Sequence, residues 1–127
     1  MTKCSGKKYE KYIETEIPKY VEVEGHHNPA PFWIAPGMFP GVKLRVAGID
    51  ASKIVGSPHA NPHQHDSPEI YLAPSEKKGQ IVVEVQMDDE QYVIESPFAV
   101  YIPPGVTHCF KVISCNSTHY VLGVLLP

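Results

Sequence analysis

The sequence predicts an all-β domain, a sandwich or barrel, from three observations. Thirteen prolines and nine glycines cut the chain into short runs. Those runs alternate apolar with polar residues or are rich in β-branched and aromatic ones, as half-buried strands are. Turn signals separate them, and helix has almost nowhere to go.

Seven strands are expected in order. They are "VKLRVAGI" at 42–49, "EIYLA" at 69–73, "QIVVEVQM" at 80–87, "QYVIE" at 91–95, "FAVYIP" at 98–103, "HCFKVI" at 108–113 and "HYVLGVLL" at 119–126. "SEKKG" at 75–79 makes a polar turn, and "MDDEQ" at 87–91 joins two runs as a hairpin. In "YIPPGVTHCF" a strand ends, Pro104 and Gly105 make a turn, and His108 begins the next strand. No internal repeat is visible.

Residues 1–40 are expected to form an irregular arm, and residues 41–127 the barrel. Pro29, Pro31, Pro36 and Pro40 should break any ladder or helix in the arm. Its Phe32, Trp33, Ile34, Met38 and Phe39 are too apolar to stay in water. They should cover the edge of the chain's own core, a pocket mouth or a second subunit, so a homodimer is one expectation.

A chain of 127 residues with 43% hydrophobic content fits one compact domain. A net charge of -3, with the N-terminal lysines interleaved with glutamates, gives no basic field for nucleic acid. The N-terminus lacks an apolar core of the signal-peptide kind, and no stretch approaches a membrane span. The expectation is a cytoplasmic protein with no membrane partner. The three cysteines, Cys4, Cys109 and Cys115, lack CxxC spacing and suggest reduced thiols. Cys109 adjoins His108, but strand neighbours point to opposite faces and cannot readily pair as nucleophile and base.

The stretch "NPHQHDSPEIYL" carries the chemistry. On extended backbone His63 and His65 share a face, and Glu69 rejoins them after a turn. If the hairpin that starts at His108 lies alongside, three neutral imidazoles and one carboxylate surround a divalent ion. The unit then keeps a net positive charge that attracts anionic ligands. His26, His27, His59 and His119 have no such pattern. His59, in a proline-bounded loop before His63, could reach a pocket mouth.

The two halves, "HQHDSPE" and "PPGVTH", resemble the HxHxxxE and PxGxxH motifs of small single-domain metal-binding cupins. The resemblance covers roughly residues 41–126. It implies a double-stranded β-helix, or jelly roll, with His63, His65, Glu69 and His108 as metal ligands facing its interior. Glu76, Pro97 and Val112 stand where the family often has glycine, glycine and asparagine, with Gly79 a little later. These departures touch turns and packing and leave the ligand set intact.

The ligand types suit Fe, Ni, Mn, Co, Cu or Zn. Four ligands leave two positions of an octahedron open for substrate oxygens or dioxygen, whereas tetrahedral zinc would be filled. By strand parity Tyr71 faces inward with Glu69, and Phe110 and Val112 with His108. Tyr71 and Phe110 are therefore candidate substrate contacts, Tyr71 as a hydrogen-bond donor, and Arg45, on a strand that could face either way, is a third, as a carboxylate clamp. No catalytic residue is assigned. The expected function is a mononuclear-metal oxygenase (an oxidoreductase of the dioxygenase kind) acting on a small molecule that chelates through oxygen. The alternatives are a metal-dependent isomerase, epimerase or lyase, and a non-catalytic metal-containing binding or sensing module.

Overall fold

The structure, a computed structural model, describes residues 7–127, so Cys4 lies outside the described residues. Among these residues nine strands form: β1 (Lys19–Val21), β2 (Ala30–Ile34), β3 (Arg45–Asp50), β4 (Glu69–Ala73), β5 (Ile81–Met87), β6 (Glu90–Glu95), β7 (Phe98–Ile102), β8 (His108–Cys115) and β9 (Tyr120–Leu125). They make a six-stranded sheet, ordered β1-β2-β3-β9-β4-β7, and a three-stranded sheet, ordered β6-β5-β8. Every pairing between these strands is antiparallel. The only helices among the described residues are single 3-10 turns at Glu10–Tyr12 and Ala51–Lys53.

The alternation in the sequence sets which faces meet. In β5, Ile81, Val83 and Val85 are buried and the residues between them are partly exposed. They pack with Phe110 and Val112 of β8, Tyr71 and Ala73 of β4, Ile102 of β7 and Val121 of β9 in one core. Burying such side chains contributes about 1.5–3 kcal/mol each. Asp88 and Asp89 form the two-residue turn between β5 and β6, with Asp88 at φ 53° as hairpin turns of this length demand. The chain reverses again before β8, where Val106 N–H donates to Pro103 O at 3.3 Å and Gly105 has φ 81°. Proline followed by a positive-φ glycine is the residue pattern of a type II turn.

The seven expected runs correspond to β3–β9. The first differs at its start: Val42 N–H donates to Phe39 O at 3.2 Å, so residues 39–42 form a turn and β3 begins only at Arg45. The larger difference lies in the arm, where β1 and β2 form despite the prolines. Pro31 sits in β2, but pairing with β3 begins at Phe32, so its missing N–H falls outside the β2–β3 ladder. Ala30 and Phe32 are buried, and Trp33 Nε1–H donates to Gly48 O at 3.0 Å. A Cβ on Gly48 would come within 2.8 Å of that indole nitrogen, so glycine is what lets the tryptophan seat.

The free edge of β8 is covered by an irregular segment. Val55 bridges Val112, Pro58 bridges Lys111, and His63 bridges His108. The edge is thereby closed without a regular strand. Among the described residues, no helix is long and apolar enough to cross a membrane.

Candidate metal centre

His63 and His65 do not lie in a regular strand; His63 is an isolated bridge residue and His65 is in a loop. Pro62 and Pro68 supply no N–H for a ladder, and a bend at Asp66 and Ser67 brings the chain back to β4. The two imidazoles nonetheless stand on one side, with ring centroids 5.7 Å apart. Backbone bonds hold this loop to the second motif. His63 N–H donates to His108 O at 3.1 Å, His108 N–H to His63 O at 2.8 Å, and Gly105 N–H to His65 O at 3.0 Å. The His108 ring then lies 4.6 Å from that of His63 and 4.8 Å from that of His65, centroid to centroid.

Each imidazole is oriented by a carbonyl two residues away in sequence. Nδ1 of His63 bonds Asn61 O at 2.8 Å, Nδ1 of His65 bonds Ser67 O at 2.6 Å, and Nδ1 of His108 bonds Val106 O at 2.7 Å. A carbonyl can only accept, so each Nδ1 carries the proton and each neutral ring presents a bare Nε2. This is the tautomer a metal ligand needs, fixed by its outer partner. One ring nitrogen from each of the three histidines lies within 4.8 Å of the others, and together they could hold a metal ion.

Glu69 opens β4, and its Oε1 lies 3.1 Å from Nε2 of His108 and 3.3 Å from Nε2 of His65. With Nδ1 already donating, each contact sets acceptor against acceptor. A proton or a cation must lie between them. The donor set thus fits a divalent ion: three imidazole nitrogens and a carboxylate, all desolvated in part. His108 is fully buried. Burial, the largest single cause, opposes its charge, but the Glu69 bond, the Val106 carbonyl bond and the Glu69 charge together hold His108 above the ordinary histidine range. Burial pushes His63 below that range.

Two cavities meet at this carboxylate. One, of about 550 Å³, is lined by His63, His65, Glu69, Arg45, Phe32 and Leu125 among others. The other, of about 200 Å³, is lined by Tyr71, Phe110, His59, Ile49, Val121 and Gly123 among others. Glu69, His26, His59, Ala30 and Ala47 wall both. Arg45 and Glu69 each pair with Leu125 across the sheet, so they face the same side. The Arg45 Nη2 donates to Ser67 Oγ at 3.2 Å and so braces the loop that carries His65. Tyr71 is 2% exposed, with its ring 5.1 Å from Phe110 and 6.0 Å from His108. Val112 is fully buried in the core and lines neither cavity.

His26 belongs to neither motif, yet its ring lies 5.5 Å from His63 and 5.2 Å from His59. It arrives there because Asn61 N–H donates to Gly25 O at 3.0 Å and His26 bridges Ala60, stapling the β1–β2 connection onto the ligand loop. His59 stacks on Phe110 at 4.1 Å. Gly123, on β9, owes its place to the carboxylate: a Cβ there would lie 2.6 Å from Glu69 Oε2. Cys109 is buried and its thiol donates to Gln86 Oε1 at 3.7 Å. Burial raises its pKa, aided by Glu84, which keeps it a thiol.

No protein-family model matches the sequence, and no curated protein does either. Solved structures do match. An RmlC-like cupin from Shewanella frigidimarina superposes with a TM-score of 0.56 at 14% identity, over 91% of this chain and 88% of its own. A cupin 2 domain-containing protein from Halorhodospira halophila gives 0.54 at 16% identity, over 74% of this chain and 60% of its own. AerE from Microcystis aeruginosa gives 0.57 at 18% identity, over 86% of this chain and 45% of its own. The chain thus spans about half the length of the last two proteins. At these identities the likeness is one of architecture, and the two antiparallel sheets closing over one core are the cupin fold.

Proposed function

We propose that the chain is a mononuclear-metal oxygenase, with His63, His65, Glu69 and His108 as ligands and a small oxygen-chelating organic molecule as substrate. The observation that supports it most is the convergence of Glu69 Oε1 on two imidazoles whose Nδ1 protons are already committed to carbonyls. A bound divalent transition metal would supply Lewis acidity and, for a redox-active ion, electron transfer.

The chain's own groups have separate tasks. Asn61, Ser67 and Val106 carbonyls hold the imidazoles in the ligating tautomer. Arg45 braces the loop and offers a positive charge toward the larger cavity. Phe110, Val121 and Ile49 give the smaller one an apolar wall. Free Cys109 and Cys115 agree with a reducing compartment, which we take to be the cytoplasm.

The test is anaerobic reconstitution with iron(II), followed by oxygen-uptake measurements on a panel of small oxygen chelators. Wild type should consume oxygen with at least one of them, and Glu69→Gln should lose turnover by a larger factor than it loses chelator binding. Turnover without oxygen uptake would replace the oxygenase with an isomerase or lyase. Chelator binding without any turnover would leave a binding module.

A further inference from the structure

We infer that the ligand is a single-ring, uncharged molecule bearing adjacent oxygens, seated in the smaller cavity with one oxygen accepting the Tyr71 hydroxyl hydrogen. This rests on the metal-site reading above and narrows its substrate class.

The first argument is an unanswered donor. The Tyr71 hydroxyl is sealed from solvent and has no hydrogen-bond partner among the described residues. Its residue is 2% exposed and lines the cavity. A buried hydroxyl left unpaired is destabilising, and native cores almost always satisfy one. A phenol is a hydrogen-bond donor at neutral pH, and an oxygen acceptor is what it lacks here.

Size and polarity supply the rest. An apolar cavity of about 150 Å³ accepts benzene. The 200 Å³ here takes one substituted ring and not two. The walls at Ala47, Ile49, Ile54 and Val121 are apolar, Glu69 is the one carboxylate among the lining residues, and no lysine or arginine is among them. Arg45 lines the larger cavity and not this one, so an anionic ligand finds its counter-charge elsewhere. Phe110 and the stacked His59 give a flat face for a ring. The His59 Nδ1 bonds Phe110 O at 3.2 Å, which leaves Nε2 as an acceptor for a hydroxyl of the ligand.

The probes are catechol, a neutral ring with adjacent hydroxyls, and oxalate, a ringless dianion that also chelates through two oxygens. Both are titrated calorimetrically into zinc-loaded wild type, Tyr71→Phe and Ile54→Trp, with metal content measured on each sample. Tyr71→Phe should weaken catechol about tenfold or more while oxalate stays within about twofold. Ile54→Trp, which adds bulk at a partly exposed part of the wall, should abolish catechol binding and spare oxalate. The metal-free Tyr71→Phe protein should melt at or above the wild-type temperature, since its hydroxyl has no partner to lose. Unchanged catechol affinity in Tyr71→Phe overturns the inference. So does a Tyr71→Phe protein that is less stable and loses both probes, which marks a structural role. If wild type takes up no zinc, the metal reading fails by itself. Catechol binding to the metal-free protein then decides: Tyr71 dependence supports the inference, and its absence overturns it.

Discussion

Gly123→Ala is the sharpest test of how the carboxylate is held, because Gly123 belongs to neither motif. On β9 it pairs with Tyr71 of β4 and Ala47 of β3, and an added Cβ would meet Glu69 Oε2 at 2.6 Å. Restoring an ordinary 3.4 Å contact requires the carboxylate to move by about 0.8 Å, the difference of the two distances. A metal–ligand bond tolerates roughly 0.2 Å, so Glu69 should leave the site while its backbone stays in the sheet. Displacing a supporting group of this kind costs about 10–100-fold in metal affinity, or roughly 1.4–2.7 kcal/mol. The fold should not suffer. Gly123 is not in the left-handed region, so alanine is allowed there and gains roughly 0.4–1 kcal/mol from the less flexible unfolded chain. Zinc affinity by chelator competition and metal-free melting by circular dichroism measure the two effects separately. Combined with Glu69→Gln, the alanine should add little further loss, since both act through one carboxylate. Wild-type affinity in Gly123→Ala, or full additivity with Glu69→Gln, would refute the argument.

Other outcomes follow from burial. His63→Ala, His65→Ala and His108→Ala should each sharply lower metal content, but only His108→Ala should also cost the metal-free fold about 2–3 kcal/mol, because His108 alone is fully buried; equal melting temperatures for the three would count against this. His59 has its pKa pushed down to about 4 by burial, against an ordinary 6.5. The folded state therefore binds fewer protons than the unfolded one between these values. The associated stability is complete above pH 6.5 and is lost as pH falls toward 4, by about 3 kcal/mol. Urea unfolding of metal-free wild type should show that extra loss between pH 7 and pH 4 relative to His59→Phe, which keeps a ring on Phe110; parallel pH profiles would exclude it.

The strands were legible because they are read locally. Ile81, Val83 and Val85 alternate toward the core, and Asp88 with Asp89 turn the chain between two such runs. The motif spacing also sufficed to bring His63, His65 and His108 together. What stayed hidden depends on partners distant in the chain. β1 and β2 form because β3 presents an edge to pair with, and no count of prolines reveals that edge. His26 reaches the site through a backbone bond from Asn61 to Gly25, and backbone bonds leave no trace in side-chain identity. Gly123 reads as a weak point in an apolar strand until the Glu69 carboxylate is seen across it.

The site is built before any ion arrives. Three backbone bonds join the ligand loop to the turn and strand that carry His108, and three more fix the imidazoles, so folding itself bears the ordering entropy. What remains unresolved is electrostatic, since Glu69 faces two bare Nε2 atoms once both rings are neutral. His108 relieves this by holding a second proton: burial, the largest single cause, opposes it, but the Glu69 bond, the Val106 carbonyl bond and the Glu69 charge together raise its pKa. That contribution is present below pH 6.5 and is lost as pH rises through the raised value. Glu69→Gln should therefore stabilise the metal-free protein at pH 8 by about 1–3 kcal/mol, because the amide can donate to His108 where the carboxylate cannot. The advantage should shrink on acidification. Urea unfolding in the presence of a chelator at pH 8 and pH 6 measures it, and a variant no more stable than wild type at pH 8 would show that Glu69 and His108 are not opposed as acceptors.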